Sequence, residues 1–185
     1  MSTAPLQAAI SSTRAELAAV QLDHLDAATP CESWKVRDLI NHLIGAQSFF
    51  LASLEGTPPS AGTDFASGDY LASFDEASTK LLAAFSADGV MEKTLTTPMG
   101  PMPGAAFIGL ATTDTFVHGW DLAKSTGRSS DLAPDLAAGI LAQARMSIQE
   151  SFRGEDGQKP FGMIQDAPAG ATNADQLAAF LGRRA

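Results

Sequence analysis

The chain has 185 residues, of which 45% are hydrophobic and 18% are charged, a composition typical of a globular domain. Its net charge of −9 and its lack of a basic tract argue against binding to nucleic acid or to an anionic membrane surface. The single cysteine excludes an intrachain disulfide, and neither a signal-peptide pattern nor an apolar run of membrane-spanning length is present. We therefore expect a single domain over residues 1–185, located in the cytoplasm.

Hydrophobic periodicity predicts four long helices in the first two thirds of the chain. These predicted helices cover residues 5–22, 34–54, 69–87 and 105–125, and Ser33 is the expected N-cap of the second. Proline and glycine predict a loop at 55–68 and a long connection at 88–104. Residues Thr94, Leu95, Thr96 and Thr97 predict a short extended crossover in that connection, which we interpret as a connection rather than a sheet.

The last third of the chain predicts two further helices. One covers residues 134–151, an irregular stretch follows at 152–170, and a short helix covers 174–181. Thr172 and Asp175 have capping-box spacing before the short helix, and Gly182 ends it. The fold class predicted is all-α, a four-helix bundle with a long crossover connection and a short extra C-terminal helix.

Three polar residues, His42, Asp114 and His118, lie within otherwise apolar helical faces. Asp114 and His118 are four residues apart, so on a helix their side chains leave the same face about 5–6 Å apart. Packing of the second predicted helix against the fourth would bring His42 to them. Two histidines and one carboxylate form a metal site that leaves coordination positions open for water or substrate.

The spacing alone leaves two alternatives open. Asp38 also lies four residues from His42, and Asp121 follows His118 by three, so the acidic ligand is not determined by spacing. Asp121 is a candidate for orienting a histidine ligand from outside the coordination sphere. The same residues would also satisfy one another as a buried hydrogen-bonded cluster without any metal.

Other residues receive a structural interpretation. His24 is read as a solvated loop residue, and Cys31 is assigned no role because no neighbouring base is predicted for it. Trp34 and Trp120 are interpreted as packing residues. Gly45, one turn after His42, either leaves room for a substrate or permits close packing of helices.

Two segments carry a family resemblance. The stretch TPCESWKVRDLINHLIGAQ (29–47) resembles the opening signature of the mycothiol-dependent maleylpyruvate isomerase-like, DinB-like family: tryptophan, V-x-D-L, then histidine. The stretch DTFVHGWDLAKSTGR (114–128) resembles its second signature, in which an acid precedes histidine by four and Asp-Leu follows. The tail DQLAAFLGRR (175–184) resembles the ending of a subfamily of uncharacterised metal-binding members.

The resemblance implies a DinB-like four-helix bundle with a divalent metal, usually zinc or nickel, near one end. His42, Asp114 and His118 match the ligand positions, which favours Asp114 over Asp38 as the acidic ligand. Asp114 is shorter than the glutamate of the family's isomerases, which implies weaker or water-mediated coordination.

The same resemblance implies a function that depends on a low-molecular-weight thiol. The expected activity is a mycothiol-dependent transferase or isomerase, with a small-molecule thiol or electrophile as partner. The alternative is a non-catalytic metal- or ligand-binding module with a stress or regulatory role. An apolar face of such a bundle would also allow a homodimer.

Overall fold

The computed structural model describes residues 2–58, 62–97, 100–155 and 158–184. Its helices and strands, in chain order, are α1 (Ala4–Leu17), α2 (Val36–Glu55), α3 (Tyr70–Phe85), β1 (Thr94–Thr97), β2 (Gly100–Pro103), α4 (Gly104–Ser125), α5 (Pro134–Ser147) and α6 (Asn173–Phe180). Short 3₁₀ turns lie at Leu22–His24, Phe65–Ser67 and Glu150–Phe152. No helix within these described ranges is long and apolar enough to cross a membrane.

Helices α1 to α4 form the bundle that the hydrophobic periodicity predicts. Helix α1 packs against α3 and α4, and α2 packs against the same two helices. Helices α3 and α4 therefore face each other across the bundle, and the long connection between them crosses it. Aromatic rings fill the centre, with the centroids of Phe50 and Phe107 5.1 Å apart and those of Phe85 and Phe107 6.3 Å apart.

Helix α4 is buried on nearly all sides because α5 and α6 cover its outer face. Trp120 lies fully buried there, and its Nε1 donates a hydrogen bond to Asp175 on α6 at 2.9 Å. Thr172 caps α6 by accepting a hydrogen bond from the Asp175 amide, as its spacing predicts. The packing interpretation of Trp120 is confirmed.

The contact between α1 and α4 is unusually close at Gly119. A Cβ on this glycine would lie 2.3 Å from the Thr13 hydroxyl oxygen, so any larger side chain would push the helices apart. Thr13 also donates a hydrogen bond to the Thr115 carbonyl at 2.8 Å, in the turn of α4 before Gly119. This contact sets the position of the α4 turn that carries His118.

The all-α prediction is wrong in one respect, because β1 and β2 pair as an antiparallel two-stranded sheet in the connection before α4. Leu95 pairs with Met102 and is buried against the bundle core. The two prolines of β2 pair with Thr94 and Thr96, at alternate positions of the ladder. Because proline has no amide hydrogen, prolines at alternate positions leave the amides between them available for the hydrogen bonds of the ladder.

Helix boundaries also differ from the sequence-based prediction. Helix α2 begins at Val36 because Lys35 is extended and its amide donates to the Asp38 carboxylate at 2.9 Å, so Ser33 is not the N-cap. Helix α1 ends at Leu17 and α5 ends at Ser147, each several residues early. Parts of the predicted loop, connection and irregular stretch, at 59–61, 98–99 and 156–157, lie outside the described residues.

Candidate metal centre

The packing of α2 against α4 brings His42, Asp114 and His118 together, as the sequence predicts. The Oδ1 atom of Asp114 lies 3.3 Å from His42 Nε2 and 3.6 Å from His118 Nε2. The two imidazole centroids are 4.5 Å apart. One donor atom from each residue lies within 4.8 Å of the other two, which is the spacing of ligands around a single ion. We call these three residues the triad.

The triad fits a divalent metal ion. The Oδ2 atom of Asp114 is buried and has no hydrogen-bond partner among the described residues. A buried carboxylate oxygen without a partner is unfavourable, and a cation would satisfy it. Two imidazoles and one carboxylate suit zinc, nickel and other first-row metals, and three protein ligands leave a position open for an exogenous ligand. The shorter Asp114 side chain reaches both histidines.

Asp121 orients one of the two imidazoles. Its Oδ2 atom lies 2.8 Å from His118 Nδ1, and because a carboxylate can only accept, Nδ1 carries the proton. The lone pair of His118 is then on Nε2, the nitrogen that faces Asp114. Histidines that bind a metal through one ring nitrogen commonly donate a hydrogen bond from the other nitrogen to a carboxylate. The geometry therefore suits the orienting role for which Asp121 was a candidate from the sequence.

Two residues that the sequence analysis assigned no role lie against Asp121. Arg183, near the end of the chain, donates to both Asp121 carboxylate oxygens at 3.2 and 3.4 Å. The Cys31 thiol donates to Asp121 Oδ2 at 3.4 Å and accepts from Arg183 at 3.7 Å. Cys31, His118 and Asp121 form a second group with ligand spacing, but Asp121 is already engaged by Arg183 and His118. The triad is therefore the better candidate.

The electrostatics of the site favour ionised acids and a neutral imidazole. Burial raises the pKa of Asp121, but the charge of Arg183 and the hydrogen bond with His118 outweigh it, so the pKa lies below 3.8. Burial likewise raises the pKa of Asp114, and the hydrogen bond with His42, together with neighbouring positive charge that includes Arg183, reverses the shift. For His118, burial lowers the pKa below 6.5 despite the neighbouring carboxylates. A neutral imidazole is the form that binds a metal.

These shifts predict that the metal-free protein loses stability in weak acid. Below about pH 6.5 the unfolded chain protonates His118 while the folded protein keeps it neutral, so the free energy of unfolding falls as pH falls. The contributions of Asp114 and Asp121, whose folded-state pKa values are depressed, are lost only below about pH 4. Urea unfolding between about pH 7 and pH 5 should show the slope, and His118→Gln should reduce it. Equal slopes in both proteins would contradict this assignment.

The triad forms one wall of a cavity of about 1010 Å³. Apolar side chains of α2 and α4 line the same space, including Phe49, Leu110 and Val117, and residues 159–163, Gln165 and residues 181–184 also line it. Gly45 lines it as well, and a Cβ there would meet no described atom within 4 Å, so this glycine leaves room rather than permitting close packing. The cavity is thus mainly apolar, with a polar cluster at one wall.

Trp34 also belongs to this cavity, which the packing interpretation did not anticipate. Its ring centroid lies 4.6 Å from that of His42 and 5.5 Å from that of His118. Trp34 precedes α2 in the chain, and its ring packs against both imidazoles. Asp38 and His24 make other contacts: the Asp38 carboxylate caps α2, and His24 Nδ1 accepts a hydrogen bond from the Gln21 amide within its own turn.

About two thirds of the sequence, including the segments that carry the triad, match the sequence model of a protein family. The sequence model of the mycothiol maleylpyruvate isomerase N-terminal domain matches residues 6–123, and the chain belongs to this DinB-like family. The family resemblance is confirmed. The matched region includes the whole triad and Asp121 but not Arg183.

Two curated relatives extend over nearly the whole chain. They are the uncharacterized protein Rv0738 of Mycobacterium tuberculosis (strain ATCC 25618 / H37Rv) and the uncharacterized protein MT0763 of Mycobacterium tuberculosis (strain CDC 1551 / Oshkosh). Each is 42% identical over 179 residues, which cover 96% of this chain and 94% of the relative. No solved structure matches the chain.

Proposed function

We propose that the chain binds one divalent metal ion through His42, Asp114 and His118 and uses it to bind a low-molecular-weight thiol. The reaction is either transfer of that thiol to an electrophilic small molecule or isomerisation of the small molecule with the help of the thiol. The observation that carries the proposal is the convergence of donor atoms from three residues at a cavity wall, where the second Asp114 oxygen, Oδ2, is buried and has no hydrogen-bond partner among the described residues. Membership of a family named for mycothiol makes mycothiol the first thiol to test.

The residues of the triad divide the work of holding the ion. His42 and His118 provide neutral nitrogen donors, and Asp114 provides a negative charge that offsets part of the positive charge of the ion. When bound, a divalent ion such as zinc or nickel supplies a Lewis acid that favours the thiolate form of a coordinated thiol. Asp121 holds the Nδ1 proton of His118, so that Nε2 stays available as a donor.

The cavity supports a ligand larger than the thiol group itself. Its volume lies at the upper end of the range of small-molecule sites, which leaves room for a thiol cofactor and a second substrate. The apolar side chains Phe49, Leu110 and Val117 line the cavity and would limit the access of water once a ligand is bound. Exclusion of water strengthens the electrostatic interactions at the reacting sulfur.

Filling the cavity at Gly45 should block the thiol without removing the metal. Gly45→Phe places a ring in the open space of the cavity, where it would overlap with the ligand. We therefore expect mycothiol affinity to fall by at least about tenfold, which corresponds to a loss of about 1.4 kcal/mol of binding free energy. Titration of the zinc-loaded protein by calorimetry measures the affinity. Gly139→Phe is the matched control, because Gly139 lies exposed on α5 with no described atom near its Cβ position.

The same titration decides between the two functions expected from the sequence. A zinc-loaded wild-type protein that binds neither mycothiol nor glutathione would contradict the thiol chemistry. The chain would then be a non-catalytic metal- or ligand-binding module, the alternative that the sequence allows. Binding that is equally strong in Gly45→Phe would contradict the location of the thiol in this cavity.

A further inference from the structure

A buried line of polar side chains runs from the C-terminal end of the chain to the triad. It consists of Arg183, Asp121 and His118, in that order. We infer that Arg183 is a positioning residue of the proposed metal centre: it fixes the Asp121 carboxylate, which holds His118 with Nε2 available to the metal. The inference rests on the proposed metal site, and it assigns a role in that site to a residue outside the family match.

The geometry restrains the carboxylate at both of its oxygens. Arg183 Nη2 donates to Oδ2 at 3.2 Å and Arg183 Nε donates to Oδ1 at 3.4 Å, while Oδ2 also accepts from His118 Nδ1 at 2.8 Å. Asp121 is fully buried and the Arg183 side chain is 13% exposed, so the contacts between them are largely shielded from bulk water. A planar guanidinium that engages both oxygens prevents rotation of the carboxylate.

The backbone around Arg183 is itself held in place. Gly182 has a φ of +98° and packs directly against the Gly162 backbone, an approach that a side chain at either position would prevent. The buried Arg153 side chain donates to the carbonyls of Gly162 and Phe180 at 3.0 and 2.8 Å. The Arg183 amide donates to the Ala178 carbonyl at 2.9 Å. The Arg183 position is therefore defined by α6 and the segment that packs on it.

Neutralising Arg183 should weaken zinc binding in the folded protein. Arg183→Gln removes the contact that fixes Asp121, and outer partners of metal ligands contribute about 10- to 100-fold to affinity, so we expect about a tenfold rise in the zinc Kd. Competition with a chromophoric chelator measures it. Arg145→Gln is the control, because it removes the same charge from an exposed residue of α5 that does not line the cavity, and it should leave the Kd unchanged. Arg183→Lys keeps the positive charge but loses the planar guanidinium, so its zinc Kd should lie between those of the wild-type protein and Arg183→Gln.

The tautomer of His118 provides a readout that a purely structural role would not change. In the zinc-free wild-type protein, ¹⁵N NMR of the imidazole should show the proton on Nδ1, and Arg183→Gln should show a mixture of the two tautomers. Arg183 should also act only through Asp121. The effect of Arg183→Gln on the zinc Kd should therefore disappear in an Asp121→Asn background.

The outcomes separate this inference from the proposed function. If the wild-type protein binds zinc and Arg183→Gln has the same zinc Kd and the same His118 tautomer, the inference is overturned and the metal site stays intact. The inference is also overturned if the effects of Arg183→Gln and Asp121→Asn on the zinc Kd are additive. A wild-type protein that binds no zinc would overturn the metal site, and the tautomer in the zinc-free protein would still decide whether Arg183 positions His118. If Arg183→Gln alone does not fold, Arg183→Lys and the double variant, which removes both buried charges, provide the same comparisons.

Discussion

Alanine at His42 is expected to lower zinc affinity by at least about a hundredfold while leaving the fold intact. The variant loses one of three protein ligands, an effect larger than the 10- to 100-fold that follows the loss of an outer partner. The His42 side chain is 32% exposed at the cavity wall, so its removal creates no closed void in the core. Chelator competition gives the affinity, and circular dichroism with thermal unfolding of the metal-free protein reports on the fold.

His24→Ala is the matched control for this prediction. It changes the same residue type, and the Nδ1 atom of its ring accepts a hydrogen bond from the Gln21 amide of its own turn. Zinc affinity should stay at the wild-type value in this variant. A His42→Ala protein that binds zinc as tightly as His24→Ala would show that the triad is not the site.

Alanine at Asp121 is expected to produce the largest loss of stability among the site variants. Its carboxylate is the acceptor for both Arg183 and His118, whose side chains are largely buried, and removal leaves them without that partner. Breaking a buried ion pair by removing one partner costs about 3–5 kcal/mol, because the remaining charge stays buried and uncompensated. Urea unfolding of the metal-free protein at pH 7.5 or near it, where the carboxylate is ionised, measures the change.

Asp75→Ala tests whether burial is the reason for this loss. Asp75 also pairs with an arginine, Arg14, at 2.6 Å, but the two side chains are 41% and 46% exposed. An exposed pair contributes about 0–1 kcal/mol, so this variant should unfold near the wild-type urea concentration. Comparable losses in Asp75→Ala and Asp121→Ala would contradict the importance of the buried Arg183–Asp121–His118 line.

The bundle and the triad were predictable because both follow from helical periodicity. Apolar residues every three or four positions predict the four helices, and the spacing of Asp114 and His118 places them on one face. His42 needed a further assumption, that its helix packs against α4, and the contact between α2 and α4 confirms it. The spacing left Asp38 and Asp114 as competing candidates for the acidic ligand. The Asp38 carboxylate caps α2, which leaves Asp114 as the candidate.

The rest of the site was not predictable because it comes from loops and from the chain end. Trp34 and Cys31 precede α2 and Arg183 follows α6, so no repeating pattern relates them to the triad. Their positions depend on long-range packing, such as the contact of Gly162 with Gly182. The hairpin was missed because a four-residue strand carries too little alternation to distinguish it from a connection. A single domain over the whole chain, cytoplasmic location and a homodimer stay predictions.

The most direct test of the metal site is the metal content of tag-free wild-type protein after zinc loading and extensive dialysis, measured by plasma mass spectrometry. We predict about one zinc ion per chain, the stoichiometry of a single three-ligand site. A folded protein that retains no zinc, and takes up no nickel under the same treatment, would contradict the account. His42, Asp114 and His118 would then be a hydrogen-bonded polar cluster within the bundle, and the cavity would need a different function.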